Sequence, residues 1–427
     1  MATERRSRMR WVLIIWFFVL SAVAYLDRVN ISIAGSSIAA EYHLSNVQLG
    51  YVFSSFLIGY AIFQTPGGRL ADRLGPRRVI TIAVVWWGIF TALTASIPVG
   101  LAGALVAFIC VRFLLGAGEA IMYPASNQFV ARWIPTQERG IANGWIFAGV
   151  GVGAGITPPL ITHIMLHHGW RWSFWVSAVI GIAAGCVWYI MARDTPETHP
   201  GVSPSELAHI KAGLTLKHAS DPENTPQIPW GRILRSKEVI SITLSYFTYG
   251  YAAWIFFSWF FIYLAKVRGL NLKSSAEYTM LPFLAMAAGS IIGGLISDRL
   301  TRSFDKRAGR CVFSCVVMAL AAVFIACGAF VHGVLAASVL LAAGVGSLYL
   351  SQSCYFSVSA DISGPSSGSV SGFINMGGQI GGAVTASLTP LIAGSYGWTA
   401  SFLVAAVLCV LGGLAWLLVN PQRSLAS

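Results

Sequence analysis

The chain has 427 residues, of which 56% are hydrophobic and only 10% charged, and its mean hydropathy is +0.69. A water-facing surface needs about 25% charged residues, so a soluble globular protein is excluded. The net charge of +12 is not the mark of a nucleic-acid binder, because Lys and Arg fall in short segments between long apolar runs, as in a polytopic membrane protein.

A helix needs about 20 apolar residues to cross the hydrocarbon core of a bilayer. In chain order the runs that qualify are Trp11–Ile33, Asn46–Pro66, Val79–Ile97, Leu101–Tyr123, Gly140–Ile164, Trp172–Ala192, Val239–Ala265, Ser275–Ser297, Cys311–Val331, Val334–Val358, Ser369–Ala393 and Thr399–Val419. The first lacks a small-residue cleavage site and is too long for a signal peptide, so it reads as a span. These runs predict an all-α membrane protein with twelve transmembrane helices. Residues 1–192 form one six-helix bundle, 193–238 a polar linker rich in proline, and 239–427 a second six-helix bundle. Within the linker, Ser205–Leu216 could form a short surface helix. Of the 28 Lys and Arg residues, all but six lie on one side of this topology. On the other side are Arg171, Lys266, Arg268 and Lys273, and inside spans are Arg28 and Arg112. The bias places both termini in the cytoplasm.

The halves are repeats. Gly68-Arg69-Leu70-Ala71-Asp72-Arg73 after the second span has a partner in Gly294-Leu295-Ile296-Ser297-Asp298-Arg299 at the eighth. Gly140, Gly144, Gly149 and Gly153 recur as Gly368, Gly372, Gly377 and Gly381, and Gly169-Trp170 recurs as Gly397-Trp398. Two parallel repeats place a substrate site between them near the bilayer midplane. Asp72, Arg73, Asp298 and Arg299 are expected to serve as a cytoplasmic gate, with Asp72 pairing with a cation and a neighbouring helix N-terminus when that side is closed. The plainer alternative is that the arginines only hold the loop inside. In the second copy Thr301 stands where a glycine is expected.

Asp27, Arg28, Arg112 and Glu119 lie within predicted spans. Each would cost roughly 2.5–3.5 kcal/mol facing lipid, so they are expected to face the bundle interior. Arg112 and Glu119, seven residues apart, fall on one helix face. The arginines suit an anion and the carboxylates suit protons; structural ion pairs are the alternative. By the repeat offset, Asp27 corresponds to Trp254 and Glu119 to Gly346, so the second half offers only neutral candidates: Tyr246, Tyr249, Gln352, Ser353, Asn375 and Gln379. These can recognise hydroxyls by hydrogen bonds. The seven cysteines lie in or beside apolar runs without CxxC spacing and read as free thiols. His167-His168 reads as a solvated turn. No nucleophile–base constellation, metal spacing or phosphate loop appears, so no enzyme, metal or cofactor is expected.

The run Gly68-Arg69-Leu70-Ala71-Asp72-Arg73-Leu74-Gly75-Pro76-Arg77-Arg78 resembles the signature loop of the major facilitator superfamily. Tyr25-Leu26-Asp27-Arg28-Val29-Asn30, Arg112-Phe113-Leu114-Leu115-Gly116-Ala117-Gly118-Glu119-Ala120 with Pro124, Pro196-Glu197-Thr198-His199-Pro200 and Gly372-Phe373-Ile374-Asn375 resemble its anion:cation symporter family. Ser32-Ile33-Ala34-Gly35 and Leu281-Pro282-Phe283 are similar to its sugar-acid carriers for galactonate and glucarate. The resemblance implies proton symport of a carboxylated substrate, with Asp27 and Glu119 protonatable, Arg28 and Arg112 beside them, and Tyr60 in the site. Val150 stands where some sugar-acid carriers have a site glutamine. The expected function is therefore proton-coupled symport of a small organic anion, a sugar acid such as an aldonate or aldarate, by alternating access. The coupling ion is H+, the protein is a monomer, and the location is the cell inner membrane. Substrate-binding candidates are Arg28, Tyr60, Arg112, Tyr249, Gln352, Ser353 and Asn375. A carrier of phthalate, tartrate, hydroxyphenylacetate or hexuronate is the first alternative, and a transporter-like sensor the second.

Overall fold

The structure, a computed structural model, describes residues 7–135, 138–215, 228–363, 367–423 and 425, apart from the side chains of 65, 68, 69, 72, 140, 215 and 367–369. Twelve spans emerge. In the first half they are α1 (Met9–Glu41), α2 (Asn46–Leu74), α3 (Pro76–Ser96), α4 (Ala104–Trp133), α5 (Arg139–His168) and α6 (Trp170–Met191). In the second they are α7 (Lys237–Ser258, continued by Phe260–Lys266), α8 (Leu272–Ser303), α9 (Arg307–Phe330) and α10 (Val334–Ser363). A last continuous helix, Ser367–Trp416, bends at Gly397, where φ is 84° and ψ 164°. That backbone conformation is open essentially only to glycine, and it divides α11 (367–396) from α12 (398–416). Its repeat mate Gly169 has φ 85° and ψ 166° between α5 and α6. The repeated Gly-Trp pair is thus a helix-to-helix corner used twice.

The repeated glycines also have a packing reason. A Cβ on Gly149 or Gly153 would sit 2.2 and 2.3 Å from the carbonyls of Phe18 and Ala22, so α5 lies backbone-to-backbone on α1. In the second half a Cβ on Gly381 would meet the carbonyl of Phe247 at 2.0 Å, which puts α11 on α7 in the same way. Small residues are how helices approach closely in lipid, where apolar side chains gain nothing by leaving the solvent. Gly144 and Gly372, nearer the end that carries the termini, have nothing within 4 Å. They border open space instead.

The two halves meet mainly through α2 against α11 and α5 against α8. On the end opposite the termini, α1 joins them: Gly35 approaches Ile262 of α7, and the ring of Phe53 lies 5.2 Å from that of Trp259. One apolar cluster runs across both halves there. Toward the termini, the first half closes around its own cluster of Phe17, Phe129, Trp133 and Trp188, which among the described residues takes in Ala383 and Trp254 from the second half. The bundle is therefore sealed at one end and parted at the other.

The linker carries a helix at Pro204–Thr215, close to the expected span, and a short turn at Pro196–Thr198. Glu206, fully buried, fastens that helix to the first half. It accepts hydrogen bonds from the Ser7 hydroxyl, from the N–H groups of Met9 (3.0 Å) and Arg10 (3.3 Å), and from the Arg10 guanidinium (2.8 Å). A carboxylate at the first N–H groups of α1 also complements that helix's dipole. Arg10 then reaches Glu138, which His209 of the linker helix contacts as well. Glu206→Ala should destabilise the protein by about 1.5–3 kcal/mol, since the N–H groups of Met9 and Arg10 and one side of the Arg10 guanidinium lose a charged acceptor while Arg10 keeps Glu138. A thermal melt in detergent reads this as a lower midpoint; an unchanged midpoint would mean the linker helix is held by its apolar face alone.

Of the expected gate residues, the Asp72 side chain lies outside the described residues. Arg73, Asp298 and Arg299 are exposed and form no ion pair among the described residues. What holds the loop between α2 and α3 is Asp194, whose Oδ1 accepts from the Arg77 N–H at 2.9 Å.

Candidate functional site

Helix α4 loses its regular turn at Ala120–Ile121, immediately after Glu119. Pro124 has no N–H to offer the Ala120 carbonyl, which accounts for the break. Broken helices at membrane depth are tolerated where they line protein or a wet cavity, and they commonly mark binding sites. The matching helix α10 is interrupted at Ser351, beside Gln352. Both halves thus place an irregular turn at similar depth.

Around the first break the four intramembrane charges come together, each at most 4% exposed. The pairing differs from the one that the spacing of seven suggests. Glu119 does not take Arg112 of its own helix; it takes Arg28 of α1, through Nε–H to Oε1. Arg28 also donates from Nη1 to the Tyr25 hydroxyl at 3.3 Å, and its guanidinium stacks over Tyr25 (4.6 Å) and Tyr60 (4.7 Å). Its Nη2 is buried without a partner. Arg112 makes no ion pair and no side-chain hydrogen bond among the described residues. Its guanidinium stands 5.0 Å over Phe56, and its Nε is buried without a partner. It lies within electrostatic reach of Glu119 and then of Asp27. Asp27 has the Thr91 hydroxyl beside it, too poorly placed for the two to make a well-formed hydrogen bond. Buried guanidinium donors without partners are rare in folded proteins and invite a functional account.

Arg28 and Arg112 line a small cavity of about 10 Å3 together with Phe53, Phe56, Trp254, Phe257 and Ser258. Trp254, the repeat counterpart of Asp27, therefore faces the charged set from the other half. Tyr60 lies against Arg28, as the resemblance implies. Tyr249 is buried, stacks on Tyr246 (5.1 Å) and packs near Tyr349 (5.3 Å) and Tyr355 (5.5 Å), its hydroxyl beside that of Tyr349. Tyr349 faces Tyr25 and Arg28 across the space between the halves. Gln352 accepts from Ser290 of α8 at 2.8 Å. Ser353 and Asn375 are half-buried, Gln379 has an unpaired buried carbonyl, and Val150 is half-buried on α5.

Sequence reading missed Tyr349, Tyr355 and Ser290, and treated Tyr25 only as part of a motif. Five tyrosines in two largely apolar spans, Tyr246, Tyr249 and Tyr251 on α7 with Tyr349 and Tyr355 on α10, were the available signal, since a phenol in lipid wants a partner. Among the described residues there is no cluster of three His, Cys, Asp or Glu that could hold a metal, and the cysteines are free thiols.

A broken-helix site of buried charges between two six-helix repeats is an arrangement that membrane transporters use. The Major Facilitator Superfamily model matches residues 17–386, and the chain belongs to that family. Along nearly its full length it is 32% identical to a Cupriavidus necator protein named "Probable sulfoacetate transporter SauU", covering 99% of this chain and 97% of that one. It is 30% identical to the "Hexuronate transporter" of Bacillus subtilis, over 96% and 94% of the two chains. It is 32% identical to the "Probable galactarate/D-glucarate transporter GudP" of Escherichia coli K12, over 70% and 68%. The fold matches a bacterial homologue of the lysosomal transporter Spinster, with a TM-score of 0.77 at 16% identity, covering 96% of this chain and 97% of that one. It also matches a D-xylose-proton symporter with a TM-score of 0.74 at 18% identity, covering 97% and 99%. The protein is a multi-pass membrane transporter of this family and not an enzyme.

Proposed function

We propose that the protein is a proton-coupled symporter of a small organic anion, working by alternating access. The relatives' names point to sugar acids and to a sulfonated carboxylate as substrate classes. The observation that carries the reading is the Arg28–Glu119 pair beside the unpaired Arg112. An arriving anion competes with Glu119 for Arg28 and is received by Arg112. Glu119, relieved of its partner, takes a proton, and Asp27 can take one without breaking any hydrogen bond. Proton uptake and anion binding then support one another, as linkage requires. We assign Tyr60, Tyr249, Gln352, Ser353 and Asn375 to the body of the substrate, and Asp72, Arg73, Asp298 and Arg299 to the cytoplasmic gate. The parted end is the cytoplasmic one, where the basic segments lie, so the conformation described faces inward. On this reading both termini are cytoplasmic and the protein sits in the inner membrane as a monomer without cofactor.

The test is uptake of D-glucarate, D-glucuronate and sulfoacetate into proteoliposomes. An inward pH gradient should drive at least one of them several-fold above its equilibrium level. Accumulation on a sodium gradient with no pH gradient would refute proton coupling.

A further inference from the structure

Resting on that reading, we infer that the site is built for a dianion, each acid group held by one arginine. The two guanidinium groups share one aromatic floor. The carbon of Arg28 lies 5.4 Å and that of Arg112 5.0 Å from the centroid of the Phe56 ring, so the two are no further apart than the sum, 10.4 Å. A dicarboxylate is long enough to span that distance, and the cavity of about 10 Å3, room for one water, has to widen to admit it. Each arginine, less than 5% exposed, keeps a buried donor without a partner: Nη2 on Arg28 and Nε on Arg112. Both line the same small cavity. A single carboxylate gripped by one guanidinium leaves the other donor stranded, and an unpaired buried donor weakens binding. Two acid groups satisfy both.

Charge counting agrees. With Asp27 and Glu119 ionised, the four side chains sum to zero, and each proton added leaves one positive charge. A site protonated on both carboxylates carries two, and a dianion returns it to neutrality before it crosses the low-dielectric interior, where net charge is expensive. The wall contributed by the second half, Trp254, Phe257 and Ser258, brings no charge that would alter this sum.

The experiment compares matched pairs by calorimetric titration of the purified full-length protein in detergent at pH 6: D-glucarate against D-gluconate, and succinate against butyrate. Within each pair the diacid should bind at least ten-fold more tightly, and Arg112→Gln should reduce that advantage to less than three-fold. The wild-type comparison stands even if the variant fails to fold. Equal or tighter binding of the monoacid in both pairs would overturn the dianion inference and leave an anion carrier. Binding of none of the four acids, nor of sulfoacetate or D-glucuronate, would overturn the organic-anion reading along with it.

Discussion

Arg112→Lys is expected to weaken binding of the transported anion at least ten-fold although the positive charge is kept. Arg112 is buried with no ion pair, and its planar fork is braced over Phe56 with a free Nε donor. A guanidinium gives a carboxylate two parallel hydrogen bonds; an ammonium offers a point charge that holds its hydration more strongly and lacks that geometry. Loss of one charge-assisted bond in a dry site is worth roughly 1.5–3 kcal/mol, a factor of about ten to a hundred and fifty. Because Arg112 makes no ion pair or side-chain hydrogen bond among the described residues, and lysine keeps a charge near Glu119 and Asp27, the melting temperature should move little. Titration of the variant with the substrate found by the uptake assay decides it. Wild-type affinity would mean that Arg112 does not grip the acid group.

Glu119→Gln should separate exchange from accumulation. The amide oxygen can still accept from Arg28 Nε, so the α1–α4 contact survives, while the amide mimics a protonated carboxyl in size and donor capacity. Arg28 is then held less strongly and is free to meet the anion. Binding and counterflow exchange should persist within about three-fold of wild type, whereas concentration of substrate on a pH gradient should fall at least ten-fold, because the proton that Glu119 would carry is lost. Asp27→Asn should impair net transport as well. Counterflow and gradient-driven uptake, measured in the same proteoliposomes, separate the two possibilities; retained accumulation would reduce Glu119 to a brace between α1 and α4.

Much of this protein is legible in its sequence because a bilayer leaves few choices. Backbone groups must be satisfied within helices, so run lengths gave twelve spans, and the corner at Gly397 was visible as the repeat of Gly169. The interior placement of Asp27, Arg28, Arg112 and Glu119 followed from the expense of charge in lipid. Their partners did not follow. Spacing along α4 puts Arg112 and Glu119 on one face, but which arginine meets Glu119 depends on the register of α1 against α4. That register is set indirectly, by how each helix seats on its own neighbours: Gly116 of α4 lies on α2, its Cβ position 2.1 Å from the Phe56 carbonyl, while α1 packs on Gly149 and Gly153 of α5. The hold of Glu206 on Arg10, 196 residues away, is non-local in the same sense. The tyrosines of α10 went unseen because a ring in an apolar run is indistinguishable from core until its neighbours are known.

All four ionisable side chains of the site sit on α1 and α4, and the second half contributes rings, phenols and amides. Duplication has left two copies with different freedoms. A substitution on α7, α10 or α11 can reshape the wall that meets the body of the anion without touching the residues that hold charge. One carrier could in this way drift from one acid to another through changes in a single half, its energy coupling inherited intact.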